Sequence, residues 1–274
     1  MAPDGTNPAG AFFIRGGLRP PGRARRAAVW REPEVWTIRI ALLGDIHGNL
    51  AALEAVLADV ARAGADALLC TGDLVNYGPE PAAVIRRIQA AGAACVVGNH
   101  DRLLARWRGQ PLAARPGRDM AVEEACLRWT ASRLGEADRA WLGALPEQVV
   151  WGVLLVVHGS PRSPDEYVRP DAGAPLWAAL AQATRARGCT ALAMGHTHLP
   201  LCRREHGVQF FNPGSVGWPK DGDPRAAYGL LGPSGFAIRR VAYDAASVAA
   251  AMRAARLPDG VASAIAAGGP APGA

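Results

Sequence analysis

The stretch Leu42–Leu50, LLGDIHGNL, decides how this chain is read. An apolar run from Ile38 ends abruptly there, and glycines at 44 and 48 flank Asp45, Ile46 and His47. Asp45, His47 and Asn49 fall on alternate positions. On extended backbone, residues i and i+2 point to the same side. A strand that ends this way aims a carboxylate and an imidazole at one place. The following NLAALEAVLADVARAG carries Leu50, Leu53, Val56, Leu57 and Val60 at helical spacing, with Asn49 as N-cap. The unit is strand, glycine turn, helix.

The unit recurs. DALLCTG (66–72) predicts a second buried strand, and PEPAAVIRRIQAAG (79–92) a second helix with proline near its start and Gly92 at its end. AACVVG (93–98) predicts a third strand. Residues 118–145 read as one or two helices, VVWGVLLVV (149–157) as a strand, 175–187 as a helix and TALAMG (190–195) as a strand. GVQFFN, AAYGLLG and FAIRRVAY are shorter strand-like pieces, and a last helix spans about 245–256. Such alternation gives βαβ units, a parallel sheet and helices outside it.

Composition sets the limits. At 274 residues the chain suits one large or two small domains. Its net charge of +6 comes almost wholly from arginine, Lys220 being the only lysine. The arginines form no stripe interleaved with aromatics, so the basic balance reads as solvated surface and no stable nucleic-acid partner is expected. No apolar run approaches the roughly 20 residues of a membrane helix, and no membrane association is expected. Five cysteines with no C-x-x-C pair suggest a reducing compartment and a cytoplasmic location. Residues 1–36, rich in Pro, Gly and Arg, are expected to be a disordered or mis-started extension. A single domain is expected over 37–257, with a loose tail over 258–274.

Five strand ends place a glycine beside a metal-ligand residue: LLGDIHGN, LLCTGDLVNYGP, VVGNHD, LVVHGS and AMGHTHLP. In open α/β sheets, ligands bind outside the carboxyl ends of the strands, so the five converge. Asp45, His47, Asp73, Asn99, His158, His196 and His198 then offer carboxylates, imidazoles and one amide oxygen. Five of the six histidines lie in these motifs; His206 does not. A thiolate-free set suits Mn, Fe, Zn, Ni or Co. Seven ligands exceed one tetrahedral ion and fit two ions about 3.5–4 Å apart.

In this order the motifs D-x-H, G-D, G-N-H-D, H-G and G-H-x-H resemble the calcineurin-like metallophosphoesterase superfamily, over roughly residues 37–245. The flanking HGSPRSPDEY and NPGSVGWPKDGDPRAAY resemble its bacterial predicted-phosphodiesterase branch. The resemblance implies a four-layer α/β/β/α sandwich with mixed sheets around a βαβ core. It implies two divalent ions, Mn²⁺ foremost, with Fe, Ni, Zn, Co or Mg as alternatives. Asp45, His47 and His198 would hold the first, Asn99, His158 and His196 the second, with Asp73 between them. His100 would face the substrate, with Asp101 behind it fixing its tautomer and raising its pKa. The implied reaction is hydrolysis of a small phosphodiester or nucleotide-type substrate by a hydroxide shared between the ions. A metal-free scaffold, a phosphomonoesterase and a phosphoprotein phosphatase are the alternatives.

One departure bears on these. The protein phosphatase branch continues G-D-x-x-D-R-G, where this chain has GDLVNYGP, so Asn76 and Tyr77 replace Asp and Arg. Asn49, Tyr77 and Arg162 are the expected substrate contacts. Asn49 either caps the first helix, the favoured role, or binds the substrate phosphate, or does both. Tyr77 either stacks on substrate or walls the pocket, and Arg162 either stands in for the missing arginine or forms a surface salt bridge. NPGSVG, which leads into no helix, is expected to be a turn under the site, and Trp218 after it lies near the pocket mouth.

Overall fold

The computed structural model describes residues 38–114 and 119–270. The expected extension at 1–36 lies outside the described residues.

Period-two alternation builds the four layers. In β1 (Ile40–Leu43), Ile40 and Leu42 face one side while Ala41 and Leu43 face the other. The same split recurs in β5 (Leu154–Val157), with Leu154 and Val156 on one face and Leu155 and Val157 on the other. Ile40, Leu42, Leu69 and Val96 meet Leu154, Val156, Ala193 and Phe211 in one apolar cluster, which is the seam between two sheets. Leu43 packs outward on α1 (Leu50–Arg62) and α2 (Pro81–Ala90), whose core faces carry Val56, Val60, Val84 and Ile88. Leu155 and Leu192 pack outward on Trp177 and Leu180 of α6 (Ala174–Arg185). The result is a helix–sheet–sheet–helix sandwich.

The first sheet has the order β10-β9-β1-β2-β3. β2 (Ala67–Cys70) and β3 (Ala94–Cys95) run parallel to β1, whereas β9 (Ala226–Gly232) is antiparallel to β1 and β10 (Gly235–Val241) antiparallel to β9. The second has the order β4-β5-β6-β8-β7. Its β5, β6 (Ala191–Ala193) and β8 (Val208–Asn212) are parallel, and the outer strands antiparallel.

Three local expectations change, and one that left two alternatives open, over 118–145, is resolved. Residues 149–157 form a hairpin, because Gly152 takes φ +59° and reverses the chain between β4 (Gln148–Trp151) and β5. Residues 118–145 hold two helices, α4 (Met120–Ala131) and α5 (Glu136–Ala144). The supposedly loose tail contains α8 (Asp259–Ala267), whose Val261, Ala262 and Ile265 pack against Val248 and Met252 of α7 (Ala245–Ala254). Its alanine-rich sequence hides an apolar i, i+1, i+4 face. Two elements were not anticipated: α3 (Asn99–Arg106), with only Asp101 and Leu104 buried, and β7 (Leu201–Glu205), a polar edge strand. Among the described residues, no helix is long and apolar enough to cross a membrane.

Candidate metal centre

The loops after the parallel strands are laced together by backbone hydrogen bonds. Asp45 N–H donates to Gly72 O at 3.0 Å, His47 N–H to Asp73 O at 2.9 Å, Gly195 N–H to His158 O at 2.7 Å and Gly217 N–H to Asp45 O at 3.1 Å. Strand ends from both sheets thus share one floor. NPGSVG forms part of it: Ser215 Oγ donates to Asp45 O at 2.6 Å, and Asn212 Nδ2 to Gly195 O at 2.8 Å.

Backbone strain concentrates there. Among the described non-glycine residues, nine have positive φ, and seven of them are Asp45, His47, Asp73, Asn76, Tyr77, His196 and His198. Such conformations cost about 1–3 kcal/mol each and persist where the surroundings over-determine them. A Cβ on Gly98 would collide with Asp73 Oδ1, and one on Gly195 would come 2.8 Å from Asp45 Oδ2. The glycines therefore let the carboxylates approach the floor.

The sequence-expected ligands meet in two buried trios. Asp45, His47 and His198 form one, Asp73, His158 and His196 the other, and within each trio the candidate ligand atoms lie within 4.8 Å of one another. Asp73 Oδ2 stands between the trios, 3.8 Å from His47 Nε2 and 3.4 Å from His158 Nε2. Asn99 Oδ1 joins the second at 2.9 Å from His158 Nε2.

Backbone carbonyls aim the rings. His198 Nδ1 bonds Trp218 O at 2.6 Å, His158 Nδ1 bonds Thr71 O at 2.8 Å, and His47 Nδ1 contacts Val75 O at 3.3 Å. With Nδ1 carrying the proton to a carbonyl, Nε2 of His47 and of His198 turns a lone pair into the site, and Nε2 of His158 does so once its own proton is lost, the usual support of a metal-binding histidine. The ring nitrogens crowd together: His47 Nε2 and His198 Nε2 are 3.1 Å apart, as are His158 Nε2 and His196 Nδ1. His196 Nε2 is buried with no hydrogen-bond partner. Converging lone pairs with so few donors are what a pair of cations would satisfy, so the residues present fit two divalent ions.

Electrostatics agree with ligand duty. Burial holds His47 at about 4 and His196 at about 3, and His198 well below the ordinary imidazole value. These three need lose no proton to bind a cation. Burial also opposes charge on His158, but the Asp73 carboxylate beside it prevails and pushes it up to about 10. Asp73, despite its burial, is held well below the carboxylate range by His158 and His100. Burial, with the Asp73 charge, raises Asp45 to about 7. Cation uptake must expel the His158 proton and whatever fraction remains on Asp45. Losing protons on binding means affinity rises with pH. Divalent-cation affinity is therefore expected to strengthen steadily between about pH 6 and about pH 8, with proton release visible by calorimetry in buffers of different ionisation heat. An affinity flat across that range would contradict this.

Four expected roles need correction. Asp101 does not touch the His100 ring. Its oxygens accept backbone N–H groups of Leu74 at 2.9 Å, Val75 at 3.2 Å and Gly98 at 3.1 Å, so it braces the Asp73 loop. The partner of His100 is Asn76, whose Nδ2 donates to His100 Nδ1 at 2.9 Å while its Oδ1 accepts from Thr130 Oγ1 of α4 at 3.3 Å. That chain leaves the His100 proton on Nε2. Burial draws His100 down to about 3, opposite to the expected rise.

Asn49 is used up internally. Its Oδ1 caps α1 at Ala52 N (3.1 Å), and its Nδ2 reaches Gly217 O and the Tyr243 hydroxyl. Arg162 is paired with Glu166, which also accepts from Ser160, so the salt-bridge alternative holds. Tyr77 is 5% exposed and packs edge-on against His47, His100 and Trp218, so it walls the site. Trp218 is buried beneath it instead of lying at the mouth, with its indole N–H on Gly269 O. Tyr167, unremarked in the sequence, lies with its ring 3.9 Å from that of His196 and is 45% exposed, at the rim of the second trio.

Comparisons with known proteins point the same way. The model of a calcineurin-like phosphoesterase superfamily domain matches residues 38–232. The chain is 30% identical over 202 residues to the phosphodiesterase YfcE of Escherichia coli K12, covering 71% of this chain and 87% of that protein. It is 29% identical over 228 residues to MJ0912 of Methanocaldococcus jannaschii, covering 75% and 88%. A crystal structure of a metallophosphoesterase from Sphaerobacter thermophilus superposes with a TM-score of 0.72 at 33% identity, covering 85% of this chain and 99% of that one.

Proposed function

The chain belongs to the calcineurin-like phosphoesterase superfamily, and on that footing we propose that it is a phosphodiesterase working with two divalent cations, Mn²⁺ foremost. Asp45, His47 and His198 would hold one ion, Asn99, His158 and His196 the other, and Asp73 both. The observation that carries the reading is the place of Asp73 Oδ2, between the two histidine-rich trios. Bound there, the cations would supply Lewis-acid chemistry for the attack of water on phosphorus and for the charge on the phosphate oxygens.

The chain's own residues do the rest. His100, neutral and with its proton on Nε2, donates a hydrogen bond to the phosphate or to the departing alkoxide. Asn76 holds the ring in that tautomer and Thr130 holds Asn76. Tyr77 and Trp218 exclude water from the side of the first trio. Small diesters are favoured over phosphoproteins because the place of the phosphate-clamping arginine is taken by the buried Tyr77.

Protein stripped with a chelator should be inert toward bis(p-nitrophenyl) phosphate and regain turnover on adding Mn²⁺. Failure of Mn²⁺, Zn²⁺, Co²⁺, Ni²⁺ and Mg²⁺ alike to restore it would refute the proposal.

A further inference from the structure

A cleft of about 340 Å³ opens beside Asn99, lined by Arg102, Leu103, Arg106, Leu112 and Asp165. That size lies within the range of small-molecule sites. Asn99, Arg102, Leu103 and Arg106 are positions i, i+3, i+4 and i+7 of α3, which share one helix face. With a rise of about 1.5 Å per residue, the two guanidinium-bearing positions lie about 4.5 and about 10.5 Å along the axis from Asn99. One end of the cleft is thus Asn99, which borders the second trio with its Oδ1 2.9 Å from His158 Nε2. The other end is cationic.

The two arginines are lightly committed. Arg102 pairs at 2.7 Å with Asp165, whose side chain is 60% exposed. An exposed pair of this kind exchanges readily for a better anion. Arg106 is exposed and has no ion pair among the described residues. Leu103 and Leu112 give the cleft an apolar wall between charged ends. A planar guanidinium matches phosphate oxygens in pairs, which an ammonium does not.

We propose that this cleft is a subsite for a second phosphate of the substrate, carried on the group that extends from the scissile phosphorus past Asn99 along α3. The wall of Leu103 and Leu112 takes the sugar or base between the phosphates, and Arg102 and Arg106 take the distal anion. This rests on the phosphodiesterase reading and narrows it to substrates with at least two phosphates. The second phosphate reaches the subsite through a nucleoside link or through a phosphoanhydride chain.

The test compares kcat/KM for thymidylyl-thymidine with and without a 5′-phosphate and for a dinucleoside tetraphosphate, using Mn²⁺-loaded protein. The form with the extra phosphate is expected to be preferred by about ten-fold or more, the worth of one charge-assisted contact. Arg102→Gln/Arg106→Gln should abolish the preference, and Asp165→Asn, which frees Arg102, should increase it. An arginine-dependent preference confined to the 5′-phosphorylated dinucleotide assigns the nucleoside link; one confined to the tetraphosphate assigns the anhydride. Bis(p-nitrophenyl) phosphate, with no second anion, separates the two readings: its hydrolysis with no arginine-dependent preference elsewhere overturns the subsite alone. Pyrophosphate binding to metal-free protein reads the subsite without turnover. It should weaken about ten-fold in the double variant, and equal binding by the two proteins would overturn the proposal even if no substrate turned over.

Discussion

Asp73→Asn is expected to lower phosphodiester turnover by more than about 100-fold, the upper cost of losing a mere outer-shell partner of a metal ligand. It should also lower cation content measured on the purified protein. The size of the effect follows from position. Oδ2 of Asp73 faces His47 on one side and His158 on the other, while its Oδ1 accepts the His100 backbone N–H at 2.9 Å. One carboxylate therefore serves both trios and the loop bearing His100. The amide keeps the shape, but it removes the charge that holds His158 at about 10 and offers only one oxygen. Near-normal turnover with two bound cations would remove Asp73 from the centre of the account.

His100→Ala is expected to keep both cations and lose about 10²–10³ in kcat, the usual cost of deleting one donor aimed at developing charge. His100 belongs to neither trio, yet its ring lies 5.4 Å from that of His47 and 5.0 Å from that of Tyr77. With Nδ1 accepting from Asn76, the ring has one proton to give, on Nε2. Thr130→Val should act through the same chain more weakly. It leaves the Asn76 carbonyl without its donor, frees that amide to turn its oxygen toward His100, and so disfavours the productive tautomer. An unchanged rate in His100→Ala would strip His100 of its role.

The trios were legible because their chemistry demands rare residue types in fixed company. Aspartate and histidine beside glycine at strand ends have few structural reasons to recur, and the left-handed φ values of Asp45, His47, Asp73, His196 and His198 show that the backbone bends to accommodate them. The groups that aim the rings were not legible. Val75, Thr71 and Trp218 act through backbone carbonyls, which every residue type carries. Asn76 stands out in the sequence only as a replacement for aspartate, and its hold on His100 depends on α4 bringing Thr130 against it. Asp101, next to His100 in sequence, was expected to serve it; the first turn of α3 instead turns its carboxylate toward the Leu74–Val75 backbone. α3 itself escaped notice because only Leu104 among its apolar residues is fully buried, and β7 because an edge strand needs few apolar positions. α8 looks like low complexity in the sequence, although its apolar face closes over α7 and Gly269, just past its end, accepts the indole N–H of Trp218 beside the site.

Anomalous diffraction from crystals grown with Mn²⁺ tests the central claim most directly. Two peaks per chain are predicted, one among Asp45, His47 and His198, the other among Asn99, His158 and His196, with Asp73 touching both. A single peak, or peaks away from Asp73, would contradict it.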